Sequence, residues 1–310
     1  MSKNKERNIF SLMKNFRDEE SCIAHFKSER DRIGVTCKCG HTKHYWIKSR
    51  LSYECKKCRK RMTLKSGTIM QGSNLSFLVW YRTMFLLSTT KKVFSSKEIQ
   101  RHLGLKRYEP VWAMVHKLRR AMGSSDARYT LRGTIEMDEG YFRVETSKTE
   151  SSKGIRSRGI AGKKNVVILV GSVILGDTEI RKNEKQPRYF KARVLKSSQS
   201  DEINRLIGES VDQKSIVFTD KSASYADIAN VVEHHITTKS KKESTQEKLK
   251  WAYYTIHNAK RNLQGNYHMV KGKYLQLYLN EFIYKLNRRY IVSKLKLFDK
   301  LVIASIMELR

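Results

Sequence analysis

The sequence predicts a multidomain α+β protein, and three observations predict it. Four of the five cysteines stand in two short pairs near the N-terminus. The segment after them reads as helix throughout. A third segment switches to strand-like alternation before a basic, helical C-terminal part. A chain of 310 residues is long enough for two or more domains, and a hydrophobic fraction of 39% supplies their cores.

The first region expected, residues 8–74, holds every cysteine. It opens with "FRDEESCIAHFKSER", where Phe16, Cys22, Ile23 and Phe26 share one helical face. Cys37-Lys38-Cys39 and Cys55-Lys56-Lys57-Cys58 follow, fifteen residues apart. Two short pairs at such a separation build a tetrahedral thiolate site, so Cys37, Cys39, Cys55 and Cys58 are expected to hold structural zinc in a zinc ribbon. A segment this small has little core, and the metal would supply much of its folding energy. The first pair is C-x-C, one residue short of the usual C-x-x-C. If that tight turn keeps one thiolate away, His41 or His44 would take its place.

The second region, residues 75–124, is expected to be a helix-turn-helix. "FLVWYRTMFLL" is apolar enough for a buried helix. Ser95 and Glu98 are spaced as a capping box, Gly104 ends the short helix, and Pro110 suits the first turn of the next. A short helix, a glycine turn and a longer basic helix make the pattern of a DNA reader, with an ordinary three-helix bundle as the alternative. Lys106, Arg107, Lys117, Arg119 and Arg120 are its expected DNA contacts.

From about Gly133 to Thr238 the period changes. "GTIEMDEGYF" alternates, "VVILVGSVIL" is apolar enough for a central strand, and "RYFKARVL" alternates again. Helix "DEINRLIGESV", strand "SIVFTD", helix "SASYADIANVV" and strand "EHHITT" complete a mixed sheet with flanking helices. Between the first two strands, "SKTESSKGIRSRGIAGKKN" reads as a loop that meets phosphates, through Arg156, Arg158, Lys163 and Lys164. Asp138 lies near the end of one strand and Asp220 ends another. Two such aspartates in one sheet can converge. Facing a polyanion they would repel it, unless a divalent cation, Mg²⁺ or Mn²⁺, lies between them and assists an in-line phosphoryl displacement. The other reading of each is a strand-end cap.

Charge names the partner. Lys plus Arg number 63 against 30 Asp plus Glu, a formal net charge of +33. A compact fold bears that repulsion most readily when a polyanion neutralises it, and double-stranded DNA with its dense phosphates is the expected partner. No apolar run reaches the ~18 residues of a membrane span. "MSKNKERNIFSLMKNF" lacks the apolar core of a secretory signal. A cytosolic chain is therefore expected, where clustered cysteines suggest metal rather than disulfides. An RNA-associated basic protein with a zinc ribbon is the weaker alternative.

Several stretches together resemble one family. "FRDEESC", "YECKKCRKRMTLKSGTIMQGSNLSFLVWY", "LGLKRYEPVWAMVHKLRRAMG", "IEMDEGYF", "TDKSASY" and "NAKRNLQGNYHMVKGKYLQLYLNEFIYKLNRRY" follow in order from Phe16 to Tyr290. They resemble the DDE-type transposases of bacterial insertion sequences, in the branch related to Merlin elements. The resemblance implies an RNase H-like catalytic domain over residues 130–290, with a C-terminal basic tail or helix at 291–310. It implies metal-dependent cleavage at transposon ends and attack of a 3′-hydroxyl on target DNA, by a chain at the bacterial nucleoid acting as a homodimer or larger assembly. Asp138 and Asp220 match the first two catalytic residues. The third, usually Glu and in some branches Asn or His, stands seven residues before a lysine that matches Lys260. That count reaches Tyr253, whose protonated phenol is a poor ligand for a hard cation. On the helix "WAYYTIHNAKR", Tyr253, His257, Lys260 and Gln264 share one flank beside a buried stripe of Ala252, Ile256, Ala259 and Leu263, and Asn258 lies on the other flank. His257, one turn on, is the expected replacement, with Lys260 and Arg261 at DNA phosphates. The alternative is a catalytically inactive, transposase-derived DNA-binding protein.

Overall fold

In the computed structural model, which describes residues 14–145, 162–174, 185–196, 200–238, 248–267 and 269–308, the first helix starts where the chain can cap it. Asp18 accepts a hydrogen bond from the Ser21 backbone N–H at 2.8 Å, and the Ser21 hydroxyl accepts one from Asp18 N–H. This capping box opens α1 (Glu19–Ile33), which closes at Gly34 with φ 92°. Three antiparallel strands follow, β1 (His44–Ile47), β2 (Ser52–Cys55) and β3 (Arg61–Thr63), with β2 in the middle.

Helix α2 (Phe77–Thr89) starts at Ser76, whose hydroxyl accepts from Val79 N–H. The two Glu19 oxygens take the next free N–H groups, those of Phe77 and Leu78, each at 2.8 Å. Ser95 caps α3 (Ser96–His102) through Glu98 N–H at 3.1 Å, and Gly104 leaves it with φ 63°. Helix α4 (Tyr108–Ala127) carries Pro110 in its first turn. The last helix, α8 (Lys294–Met307), is no solvated basic tail. Its Leu297, Phe298, Leu301, Val302 and Ile306 are buried, and Phe298 packs on Tyr81 with ring centroids 5.2 Å apart. Each such side chain is worth ~1.5–3 kcal/mol when removed from water. The chain accordingly divides into two units, Met1–Ser125 with Arg288–Arg310, and Asp126–Asn287.

The second unit is built on a five-stranded sheet of β4 (Thr134–Arg143), β5 (Lys163–Ile174), β6 (Lys185–Val194), β7 (Ile216–Asp220) and β8 (His234–Thr238). Their order is β6-β5-β4-β7-β8. β4, β5 and β6 pair antiparallel, whereas β7 runs parallel to β4 and β8 parallel to β7. Val166–Val170 of β5 are all fully buried because both faces of the sheet are covered. On one face Ile135, Met137, Val167 and Leu169 pack against α5 (Ser200–Ser210) and a 3₁₀ helix (Ala223–Asn230). On the other, Phe142, Val166, Ile168 and Val170 pack against α6 (Lys250–Asn266) and α7 (Leu275–Asn287). The helix expected at "SASYADIANVV" is thus a 3₁₀ helix. Among the described residues, no helix is long and apolar enough to cross a membrane.

Candidate active site

Register brings the two aspartates together. In the parallel ladder the last pair is Glu136 with Phe218, and two residues further along these neighbouring strands, on the same pleat, come Asp138 and Asp220, near enough that the Asp220 charge acts on Asp138. Asp138, expected near the end of a strand, lies instead in the middle of β4, which continues to Arg143 because β5 pairs with it along its whole length. It is β7 that ends here, and the Asp220 carboxylate accepts from Ser222 N–H at 3.2 Å in the turn that follows. One residue before, the Thr219 hydroxyl and His235 Nε2 lie 2.8 Å apart, tying β7 to β8.

Both aspartates lie on the α6 side of the sheet, and two features set that helix close. Gly140 has no side chain where a Cβ would stand 2.7 Å from Ile256, so α6 lies directly on β4. Glu136, buried, accepts from the N–H groups of Trp251 and Ala252 at 2.7 and 3.1 Å. Leu249 at the N-cap offers no side-chain bond, so this carboxylate from the neighbouring strand satisfies the free helix end and its partial positive charge.

The expected helical faces form. Ala252, Ile256, Ala259 and Leu263 are buried. Tyr253 and His257 lie together, ring centroids 4.2 Å apart, and His257 is exposed. Burial lowers the Lys260 pKa, an effect that the nearby Asp138 charge opposes. Asp138 in turn is pushed up to about 6, chiefly by burial, with the Asp220 and Glu139 charges adding to it and Lys260 opposing. A half-buried carboxylate beside a second one is the electrostatic setting that a divalent cation relieves, and two hard oxygens fit a Mg²⁺ or Mn²⁺ ion that keeps several waters. No third carboxylate joins them from α6, whose first turn contains no acidic residue.

Behind the pair, on the opposite face, Glu139 accepts from the Asn165 side-chain amide. Buried Tyr225 lies beside it, its phenol kept protonated by burial and then by the Glu139, Asp220 and Asp138 charges. Neither Glu136 nor Tyr225 was singled out by sequence reasoning. The E-x-D spacing of Glu136 on the same pleat as Asp138 was the available signal for the first; nothing in "KSASY" marked the second.

The cysteines converge as expected. The sulfurs of Cys37, Cys39, Cys55 and Cys58 all lie within 4.8 Å of one another and, among the described residues, form the only such group of three or more metal-ligating side chains. The group needs neither His41 nor His44. A tight turn compensates for the missing residue of C-x-C: Gly40 N–H donates to the Cys37 carbonyl at 2.8 Å, with Gly40 at φ 82°. Backbone N–H groups, first that of Cys58, point at the Cys55 sulfur and lower its pKa to about 7. Cys58 moves the opposite way, up to about 12: the Lys60 N–H favours its thiolate, but the Cys39 sulfur, burial and the other two sulfurs together outweigh it. Four sulfurs converging in this way fit structural zinc.

The expected DNA contacts scatter more. Lys106, Arg107 and Arg120 are exposed on or before α4, and Lys164 and Arg261 are exposed on the second unit, with Lys163 half-buried. Arg119 is a correction. It is fully buried, because at 3.6 residues per turn it falls one turn after Val115 on the inward stripe of α4. Lys117 spends its ammonium on the Gln71 carbonyl at 2.8 Å. Arg156 and Arg158 lie outside the described residues.

A search of the curated proteins finds no match. A family model, the ISXO2-like transposase domain, matches residues 130–287, the span that contains the sheet, both aspartates, α6 and α7. The chain therefore belongs to the ISXO2-like transposase domain family, the DDE-type transposases of insertion sequences.

Proposed function

We propose that this transposase binds the terminal repeats of an insertion sequence and cuts and joins DNA strands at the Asp138–Asp220 pair. The observation that supports the reading is the position of Asp138 and Asp220 on one face of neighbouring parallel strands, each two residues beyond the Glu136–Phe218 pair, with the Asp220 charge acting on Asp138. Strands 4 to 8, three antiparallel and two parallel, support an RNase H-like domain. Asp138 and Asp220 would hold Mg²⁺ or Mn²⁺. When bound, the metal supplies an activated oxygen nucleophile and charge stabilisation for the leaving oxygen. The chain's own residues do the rest. Glu136 fixes the start of α6 against β4. Lys260, two and a half turns along, holds positive charge next to Asp138, where a phosphate oxygen approaches. His257 lies on the same flank, exposed toward the reacting DNA. The four-cysteine ribbon binds zinc, and α3 and α4 with Lys106, Arg107 and Arg120 read the ends as a helix-turn-helix, with the chain acting as a homodimer on double-stranded DNA. The test is Mg²⁺- or Mn²⁺-dependent nicking of DNA carrying the ends. Asp138→Ala and Asp220→Ala abolish it while end binding persists; normal turnover by both variants defeats the assignment.

A second reading rests on Tyr253. With no carboxylate on α6, the chain is a silent transposase derivative that binds ends without cutting. It predicts tight end binding and no strand cleavage in any divalent metal.

A further inference from the structure

A groove of about 890 Å³ opens at the free edge of β6, between α5 and the start of α7. Six cations line it: Lys164 of β5, Arg193 and Lys196 at the end of β6, Arg205 of α5, and Lys271 and Lys273 before α7. Three carboxylates share the walls, and two of them are already engaged. Glu209 pairs with Arg193 at 4.0 Å, and Glu202 accepts the Lys196 backbone N–H at 3.0 and 3.1 Å. Among the described residues, Lys164, Lys196, Arg205, Lys271 and Lys273 have no carboxylate partner. Some are forced together. The Leu195 N–H bond to the Asn165 carbonyl at 2.9 Å continues the antiparallel register, so Lys164 and Lys196 stand opposite each other, where like charges destabilise a sheet. Gly272 brings the start of α7 to the same place, since a Cβ there would come within 3.2 Å of the Lys164 side chain.

A sheet edge can also receive a strand, but side chains of the same unit already cap much of this one. The Gln276 side chain accepts from Val194 N–H at 2.8 Å and donates to the Ala192 carbonyl at 2.9 Å. Asn287 does the same for both backbone groups of Phe190. With Lys196 N–H held by Glu202, side chains occupy most of the donors that an added strand would need here. What remains is a groove in which six cations outnumber three carboxylates, Glu145, Glu202 and Glu209.

We propose that this groove is a second DNA site, holding the phosphate backbone of a duplex away from the reacting phosphodiester. The proposal rests on the reading of the chain as a DNA transposase. Lys164 pairs with Phe142, four residues along β4 from Asp138, which is ~13 Å at ~3.3 Å per residue. That separation is about four base-pair steps of ~3.4 Å. The groove therefore holds flanking or second-duplex DNA, not the bond being cut.

The experiment is the salt dependence of duplex binding by the full chain. Each lost phosphate contact lowers the slope of log K against log salt by ~0.9. Lys164→Gln, Lys271→Gln and Lys273→Gln combined lower the slope by ~2.7, and Lys271→Gln alone by ~0.9, so the answer does not depend on the triple variant folding. Lys214→Gln, on an exposed turn before β7, leaves it unchanged. An unchanged slope in the single and triple variants, with the parent still binding DNA, overturns the groove alone. A parent that shows no salt-dependent duplex binding overturns both the groove and the transposase reading. Loss of slope for structured RNA but not for duplex DNA overturns the groove as a DNA site.

Discussion

Replacing Asp138 by asparagine removes one of the two proposed metal ligands and, in the absence of divalent metal, stabilises the sheet unit. The reason is the cost of ionising a half-buried carboxyl beside Asp220. Its pKa rises from 3.8 to about 6 on folding, and at roughly 1.36 kcal/mol per pH unit this corresponds to ~3 kcal/mol. The pH window follows from the direction. Below 3.8 the carboxyl is neutral in both folded and unfolded chains, and it costs nothing. Between 3.8 and about 6 the unfolded chain releases its proton first, and native stability falls as pH rises. Above about 6 the whole penalty is present. Asparagine keeps the side-chain oxygen that accepts Glu139 N–H at 2.8 Å, so the substitution does not sacrifice that bond. The assay is urea unfolding in a chelator at pH 4 and pH 8, read by amide hydrogen exchange in β4 and β5. The variant gains on the order of 2–3 kcal/mol over the parent at pH 8 and little at pH 4. Added Mg²⁺ narrows the gap, because the ion stabilises only the parent's native state. A variant less stable than the parent at pH 8 without metal refutes the reasoning, since it would mean that Asp138 is already neutralised by its surroundings.

Glu136→Ala leaves the buried Trp251 and Ala252 N–H groups without their acceptor, a loss of ~2–6 kcal/mol at ~1–3 per orphaned group; Glu136→Gln, which keeps one acceptor oxygen, loses less, and equal stability of all three chains in urea would remove Glu136 as the anchor of α6. Gly140→Ala puts a methyl group 2.7 Å from Ile256; it costs ~1–3 kcal/mol of overpacking and slows cleavage by lifting α6 from Asp138, so an unaltered melting temperature and rate would contradict the close approach. Zinc analysis of the purified chain finds one ion, Cys39→Ser loses it, and a chelator unfolds the three-stranded ribbon while the five-stranded sheet keeps its hydrogen-exchange protection; a metal content well under one per chain opposes the ribbon. His257→Ala slows cleavage more than Tyr253→Phe does, and the reverse order would assign the role to the phenol.

Some of this was legible in order along the chain. The period change at Gly133 marked the sheet, the apolar run of β5 marked its centre, and the stripe Ala252, Ile256, Ala259, Leu263 gave α6 the face that is in fact buried. These are local patterns, in which side-chain spacing follows the geometry of a single element. The four cysteines were legible for a related reason: a metal-binding turn is built by residues close in sequence. The cations were not. Arg119 reads as one more basic residue of a DNA-facing helix, yet it is buried, because charge says nothing about which way a helix turns its face once its neighbours have packed.

The sequence by itself determined the elements, the thiolate cluster and the two aspartates as candidates. Only the tertiary structure decided that these aspartates are neighbours, since the pairing of β4 with β7 joins residues some eighty positions apart, a choice made by which apolar faces can be buried together. It also decided that Glu136 belongs to the start of α6 and that α8 belongs with the first unit. It gathered five cations that have no carboxylate partner among the described residues, from four separate segments, around one groove. Contacts of this kind arise from packing and from the need to satisfy buried polar groups, and neither is written in any single stretch of the chain.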